Sequence, residues 1–500
     1  MNLGALTNRA ERISGFLNLE NHPVRRKNYK FRVTYFTLLY AALQAGARNE
    51  EQVKDILNTY RKYFIIKDSD YYQIQTFIDE GNEKLFDYLR SLIEDEKFTQ
   101  SVYSKLLFGE MLFFELNGND EFNFNSIIRL YADYCKFPQS MEVEIKSLLI
   151  KMIAGEEVEG LFKLKRLKVF KYLQNAVNAY LLQEQVKSFN VTVIATMSSG
   201  KSTLLNALLG KKIFPSENKA CTSTCLKFTN RPKQVREIGL ATGQHTDTRW
   251  NLTYDDIARW NGDSGIEQIE VEGNMNSISM LKKFNISFID TPGTNNSRNR
   301  HHEEITQEIL EQKKSNVILY VLNAANLAPE DDKILLQQVI KHLGDQQIIF
   351  LLNKTDQLDL EAEDSIAESL NIAKSHLMEL GVASPVIVPI SSYAAGLFRD
   401  ILDNRALTKR ETRDALTLLE LFRIPLYDMN QYIDRNLTKS LPPSVVRFKL
   451  HRNIQIGNNY INSKVIDEAI KKTGIHIVER LLLQSIKESS ISDNGRCSYK

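Results

Sequence analysis

Two spacings of apolar residues divide this chain. Across residues 31–185 the apolar positions recur three and four apart, as in Val53, Ile56, Leu57 and Tyr60, then Ile74, Phe77 and Ile78, then Leu85, Phe86 and Leu89. That spacing lines one face of an α-helix. Glycine and proline are sparse there, so a bundle of several helices with an aromatic-rich interior is expected, broken near Asn117-Gly-Asn-Asp120. From residue 186 onward the pattern changes to short apolar runs: Phe189–Ile194, Ile286–Ile289, Ser315–Leu322, Ile348–Leu352 and Val386–Ile390. Runs of this length read as strands covered on both faces by helices. Helical stretches such as Thr203–Gly210, Asp331–His342 and Glu361–Leu380 alternate with them. The alternation predicts an α/β domain with a mostly parallel, doubly wound sheet, its ligand at the carboxyl ends of the strands and an all-α domain before it.

The first of these runs opens directly into Ala195-Thr-Met-Ser-Ser-Gly-Lys-Ser202 and a helix. A phosphate-binding loop needs small residues whose backbone N–H groups can face phosphate oxygens, a lysine for the outer phosphates and a hydroxyl for Mg²⁺. Gly200, Lys201 and Ser202 supply these, Ser199 and Thr203 flank them, and the following helix adds its positive N-terminal end. Ala195 stands where the first glycine of the usual pattern would be, a larger load if its φ is positive than if it is negative.

Two further motifs follow in order, each at the end of an apolar run. Asp290-Thr-Pro-Gly293 offers an aspartate for the Mg²⁺ shell, through water, and a glycine N–H for a γ-phosphate. Asn353-Lys354-Thr-Asp356 decides the base, because a carboxylate can accept both the ring N–H and the exocyclic amino group of guanine, a donor pair adenine lacks. GTP and GDP are therefore the expected ligands. Ser391 and Ser392, after the last run, could bring a backbone N–H to the guanine carbonyl. Between the loop and Asp290, the polar segment Phe214–Cys225 could order over the nucleotide, with a threonine hydroxyl completing the Mg²⁺ shell and its carbonyl holding the attacking water.

Met197-Ser-Ser-Gly-Lys-Ser-Thr-Leu-Leu-Asn-Ala-Leu-Leu-Gly210, Phe214-Pro215 and Asp290–Gly293 together resemble the dynamin-like large GTPases, especially their bacterial members. The resemblance spans roughly Val186 to Ser485. It implies a P-loop GTPase that converts GTP and water to GDP and phosphate. It selects Thr222 over Thr224 as the switch threonine, since in animal dynamins that residue lies seven after the proline matched here by Pro215. It also implies a catalytic set of Ser198, Lys201 and Thr222, with Ser198 helping to place a K⁺ or Na⁺ ion, and activity that rises when two GTPase domains meet as a homodimer. Thr294, where Ras-like enzymes carry a glutamine, fits that set. Met197, where animal dynamins have glutamine, departs from it. The expected divisions are an amino-terminal segment 1–30, a helical domain 31–185, a GTPase domain 186–485 closed by the amphipathic Thr473–Leu482 and carrying a charged helical insertion at 395–463, and a polar tail 486–500. The long helical stalk of membrane-remodelling relatives is expected to be absent or replaced by the amino-terminal helices. A slow regulatory switch or scaffold that binds a protein partner is the alternative.

Charge adds one candidate surface. Lys163-Leu-Lys-Arg-Leu-Lys-Val-Phe-Lys171 holds five cations in nine residues, interleaved with Leu164, Leu167 and Phe170, so it could lie on an anionic membrane or be an exposed helix face. The formal net charge of +2, without a stacking module, argues against nucleic acid. Adjacent His301 and His302 lack a matching ligand pair and are not read as a metal site. Four cysteines, with Cys221 and Cys225 beside the switch threonines, are expected to be reduced. With no apolar core in the first twenty residues and no long apolar stretch, a cytoplasmic protein is expected, peripheral to a membrane if the basic run is used.

Overall fold

The structure is a computed structural model and describes all residues except 1–2, 47–49, 80–86, 89–90, 92–95, 116–125, 197, 216–223, 277–279, 292–314, 328–329, 343–345, 362–363, 444–451 and 498–500. Thr222, Gly293, Met197, Leu85, Phe86, Leu89, the Asn117–Asp120 break and His301–His302 lie outside the described residues. The chain forms two compact units, the first comprising Met1–Val186, Lys233–Gly239 and Thr248–Leu252, the second the remainder.

The first unit is helical. Helix Glu50–Phe64 buries Val53, Ile56, Leu57, Tyr60 and Phe64 along one face, with acids in its first turn and bases in its last to oppose the helix dipole. Helix Tyr29–Gly46 is covered nearly all round from Thr34 to Leu43, so it is central. Residues before 31 join this core: Ile13, Leu17, Leu19 and Val24 are almost fully buried. At its middle sits Glu110, with no exposure, held by His22 Nε2 at 3.0 Å and by Tyr35 OH, which donates at 2.7 Å. A carboxylate can stay there only because it is partnered.

Two short pieces from far along the chain complete the same unit. Arg236 Nη1 donates to the Ser14 carbonyl at 2.9 Å and its guanidinium lies 4.1 Å from the Trp250 ring centroid. Trp250 meets Phe114 edge-on, and Arg249 binds Asp55 at 3.0 Å and also Glu51. These pieces come from the stretch that the sequence assigns wholly to the sheet domain.

A nine-stranded sheet, built mainly from residues of the second unit, runs β4-β3-β5-β2-β6-β1-β7-β8-β9. Its strands are β1 Phe189–Ala195, β2 Cys225–Asn230, β3 Ile238–Gly243, β4 Asp247–Arg249, β5 Ile266–Gly273, β6 Ile286–Asp290, β7 Val317–Asn323, β8 Gln347–Asn353 and β9 Ile387–Pro389. β1 is parallel to both β6 and β7, and β7–β8, β8–β9 and β2–β5 are parallel too, while β2–β6 is antiparallel. The register aligns Val193 with Asp290, Ala195 with Val321 and Asn323 with Asn353. The ends of β1, β6 and β8 thus deliver the three sequence motifs to one edge of the sheet, where the strand order switches about β1.

The stretch 395–463, expected to be helical, contains helices Ser392–Leu402 and Lys409–Leu421 but also an antiparallel hairpin, β10 Asn453–Ile456 with β11 Asn459–Asn462. Ile454 and Ile456 alternate with exposed Asn453 and Gln455, and Gly457 turns the chain at φ +60. The closing helix begins at Ile475 and runs to Cys497, through the stretch expected as a polar tail. It follows Gly474, whose φ is +79 and where a Cβ would lie 2.2 Å from the Pro389 carbonyl.

Candidate functional site

The buried strand β1 hands the chain to the loop without needing a glycine at its end. Ala195 is the last residue of the strand, pairs with Val321 and is not among the described residues with positive φ, so its methyl group is accommodated. The turn is made further on, by Ser198 at φ +62 and Gly200 at φ +88. Gly200 is demanded twice over, since a Cβ there would also lie 2.4 Å from Asn353 Nδ2. Ser199 is buried, its Oγ donating to the Thr196 carbonyl at 2.9 Å and lying 3.0 Å from Thr196 Oγ1. Ser198 is exposed at the tip. Helix Lys201–Leu209 then starts with free N–H groups facing the loop, as an anion site requires.

Lys201 and Ser202 meet Asp290 at the end of β6. Lys201 Nζ lies 2.9 Å from Asp290 Oδ1 and Ser202 Oγ donates to Oδ2 at 3.4 Å. The ammonium approaches Oδ1 as a charge contact off the line of a hydrogen bond, so that buried oxygen has no hydrogen-bond donor. A hydroxyl beside a carboxylate oxygen with spare accepting capacity is the hard-oxygen donor set that Mg²⁺ and its water shell take. Asp290 is steadied by its neighbour: Thr291 Oγ1 donates back to Val193 of β1 at 3.0 Å.

At the end of β8, Asn353 bridges the loops around it. Its Nδ2 donates to the Ser199 carbonyl at 2.8 Å, while its Oδ1 accepts from Ser392 N at 3.1 Å and Ser392 Oγ at 2.8 Å. Ser391 is equally occupied, its hydroxyl accepting from Ala394 N and its own N–H donating to Thr473 O. The side chains of Asn353, Ser391 and Ser392 therefore hold the loops together. Lys354 takes a left-handed conformation at φ +67 and turns the chain so that Asp356 follows. Burial pushes the Asp356 carboxyl above its ordinary value, opposed by a hydrogen bond from Ser391 and by the Lys354 charge. Asp356 Oδ1 is buried without a donor, as a carboxylate reserved for N–H groups of a base would be.

Several supporting residues carry no motif and escaped the sequence. Asn206 Oδ1 accepts from Ile213 N and Phe214 N, both at 2.8 Å, and its Nδ2 donates to Phe214 O at 2.7 Å, which fixes the start of the segment leading to Thr222. Arg399 is buried between helices, donating to the Ala207 carbonyl and to Glu479 Oε1 at 2.8 Å. Cys225 is a free thiol pushed up to about 11, by burial first and by the Asp290 charge next, so it stays protonated at neutral pH.

The basic run is not a helix face. Lys163 ends one 3-10 turn, Lys168–Phe170 forms another and Lys171 opens helix Lys171–Glu184, while Leu167 and Phe170 are buried and unable to face a membrane. Lys163, Leu164, Lys165, Arg166 and Lys168 remain exposed, although Arg166 pairs with Glu144 at 2.9 Å. Among the described residues no cluster of His, Cys, Asp and Glu could hold a metal ion, and no helix is long and apolar enough to cross a membrane.

The model of the dynamin family matches residues 191–355, from within β1 to just past Asn353. The dynamin-like protein 2 of Campylobacter jejuni is 26% identical over 224 residues, covering 43% of this chain and 34% of that protein. The bacterial dynamin-like protein of Nostoc punctiforme is 24% identical over 180 residues, covering 34% and 25%. The chain thus spans less than half the length of the curated relatives it matches. A solved structure of an oligomerised bacterial dynamin pair aligns over 83% of this chain and 64% of that one, with a TM-score of 0.36 and 15% identity.

Proposed function

We propose that this chain, whose residues 191–355 belong to the dynamin family, binds GTP with Mg²⁺ and hydrolyses it to GDP and phosphate. The observation that carries the reading is the meeting of Lys201, Ser202 and Asp290 at the same sheet edge as the donorless Asp356 oxygen. Backbone N–H groups of Ser199, Gly200, Lys201, Ser202 and Thr203 bind the phosphates, with the Lys201 ammonium turning from Asp290 to the outer phosphates. Ser202 and Thr222 would hold Mg²⁺ directly and Asp290 through water, and the ion would supply neutralisation of phosphate charge. Asp356 accepts from guanine, Lys354 covers it, and Asn353, Ser391 and Ser392 keep that loop against the phosphate loop. Thr222 orients the attacking water and Gly293 meets the γ-phosphate. Ser198, exposed at the loop tip, helps to hold a monovalent cation when two copies meet across their nucleotides.

The test is GTP turnover per molecule over a wide range of protein concentration, in potassium, in sodium and in neither. A rate that climbs with concentration and needs the cation supports the full reading. Unchanged hydrolysis in Lys201→Ala would overturn the assignment. Tight GTP binding with a flat, very slow rate would instead make the chain a GTP-dependent switch or scaffold. In either form the protein is cytoplasmic, and exposed Lys163, Leu164, Lys165 and Lys168 are its contact with an anionic membrane. Liposome binding that survives neutralisation of these lysines would exclude that contact.

A further inference from the structure

The stretch 395–463 lies outside the motifs and beyond the residues matched by the family, yet one of its side chains reaches the loop that carries Asp356. Tyr427 ends the 3-10 turn Pro425–Tyr427 and is 3% exposed. Its hydroxyl donates to the Leu358 carbonyl at 2.7 Å and accepts from Leu360 N at 3.2 Å, so one loop fills both roles of that oxygen. The ring is held in place as well. It meets buried Phe422 edge-on with centroids 6.5 Å apart, and Phe422 meets buried Phe398 in the same manner at 6.1 Å. Gln431 fastens the turn, its Nε2 donating to the Pro425 carbonyl at 2.9 Å.

Asp356 sits in the 3-10 turn Thr355–Gln357, and a turn of three residues has no ladder of its own to fix its direction. It is pinned from both ends. At the start, Thr355 Oγ1 donates to the carbonyl of Ile390, just past β9, at 3.0 Å. At the end, Leu358 N closes the turn by donating to the Thr355 carbonyl at 3.4 Å, and the carbonyl of this same Leu358 is the one that Tyr427 binds. Leu358 therefore joins the two, its N–H given to the Asp356 turn and its C=O to Tyr427. The residues that follow, Asp359 and Glu361, are exposed, which makes the Tyr427 hydroxyl a buried anchor on this side of the turn.

We propose that Tyr427 is a positioning residue for base recognition: by clasping Leu358 and Leu360 it fixes the turn that aims the Asp356 carboxylate at the two N–H donors of guanine. This rests on the nucleotide reading above and gives the stretch 395–463 a part in it. A carboxylate that must meet two donors at once tolerates little rotation, so loss of the clasp leaves Asp356 present but loosely aimed. A base with a single donor on that edge asks less of the alignment, because a loose carboxylate can still follow one N–H.

The experiment measures dissociation constants for GDP and for inosine diphosphate, which keeps the ring N–H and lacks the exocyclic amino group, with kcat and KM for GTP and the melting temperature, all in the full chain. The wild type should prefer GDP by at least about tenfold. Tyr427→Phe, which keeps the ring, should weaken GDP about tenfold and inosine diphosphate about threefold, so the preference shrinks about threefold, and should raise KM for GTP with kcat unchanged. Asp364→Ala frees the same loop from its exposed side, where Asp364 Oδ2 accepts from Asp359 N at 2.8 Å, and should shift the preference in the same direction if Tyr427→Phe fails to fold. In an Asp356→Ala background, Tyr427→Phe should weaken GDP no further. A lower melting temperature with unchanged preference and KM in Tyr427→Phe, or an equal loss of GDP affinity with and without the Asp356 carboxylate, would overturn the inference alone. A wild-type chain that binds no guanine nucleotide, or does not tell GDP from inosine diphosphate, would overturn the nucleotide reading at Asp356 and this inference with it.

Discussion

Asn353 donates to the carbonyl of Ser199 across 2.8 Å, which makes the base-reading loop and the phosphate loop one hydrogen-bonded body. Asn353→Ala strips a donor from Ser199 and an acceptor from Ser392 in a site closed to water. We expect a loss of about 2 to 4 kcal/mol in unfolding free energy and at least tenfold weaker GDP binding. Denaturant titration and fluorescence titration of GDP check the two effects separately.

Gly200→Ala is expected to be worse than its one added methyl group suggests. The residue would be forced to φ +88, a strain of about 1 to 3 kcal/mol, with its Cβ driven against the Asn353 amide. Nucleotide affinity should fall more than tenfold while the far-UV circular dichroism stays that of the wild type. Wild-type affinity in this variant would mean that the loop adopts a different turn when phosphate is bound.

Asp356→Asn changes which base fits. The buried Oδ1 has accepting capacity unspent on the protein, and an amide replaces one acceptor of the pair with a donor. Guanine, which offers two donors on that edge, should bind at least about a hundredfold more weakly. Xanthine, which offers one donor and one acceptor, should gain. Competition between GDP and xanthosine diphosphate reads the exchange directly.

His476 gives the second unit a defined acid sensitivity. Burial, and then the Arg480 charge, lowers its pKa from 6.5 to about 4. Below pH 6.5 the unfolded chain gains a proton that the folded chain takes up only near pH 4, so this group's contribution is present above pH 6.5 and lost as pH falls from there toward 4. The full loss is on the order of 3 kcal/mol at most. His476→Gln should flatten the dependence of unfolding free energy on pH in that window, and a wild-type slope in the variant would contradict the assignment.

Features written in consecutive residues were legible before the fold was known. β1, β6, β7 and β8 appear as apolar runs because both faces of each strand are covered, and the loop, Asp290 and Asp356 follow from local turn and phosphate chemistry. Features written across the chain were not. The β10–β11 hairpin alternates over only four residues a side, too few to stand out beside the helices around it. Tyr320 and Asp332 look like an ordinary strand aromatic and an ordinary helix-start acid until the fold pairs them through the Tyr320 hydroxyl. Asn353 reads as a nucleotide ligand in sequence, and the fold adds a second task the sequence did not show: its amide ties the Ser199 carbonyl to Ser392.

The helical unit is assembled from three stretches, so the chain passes between the two units at 186/187, 232/233, 239/240, 247/248 and 252/253. A single recombination point after Val186 would inherit Phe114, Asp55 and Ser14 from one parent and Trp250, Arg249 and Arg236 from the other. Neither parent's half could then drift freely. The helical unit cannot be traded between relatives as a cassette, and its sequence is obliged to change in step with two short pieces of the chain that lie far downstream of it.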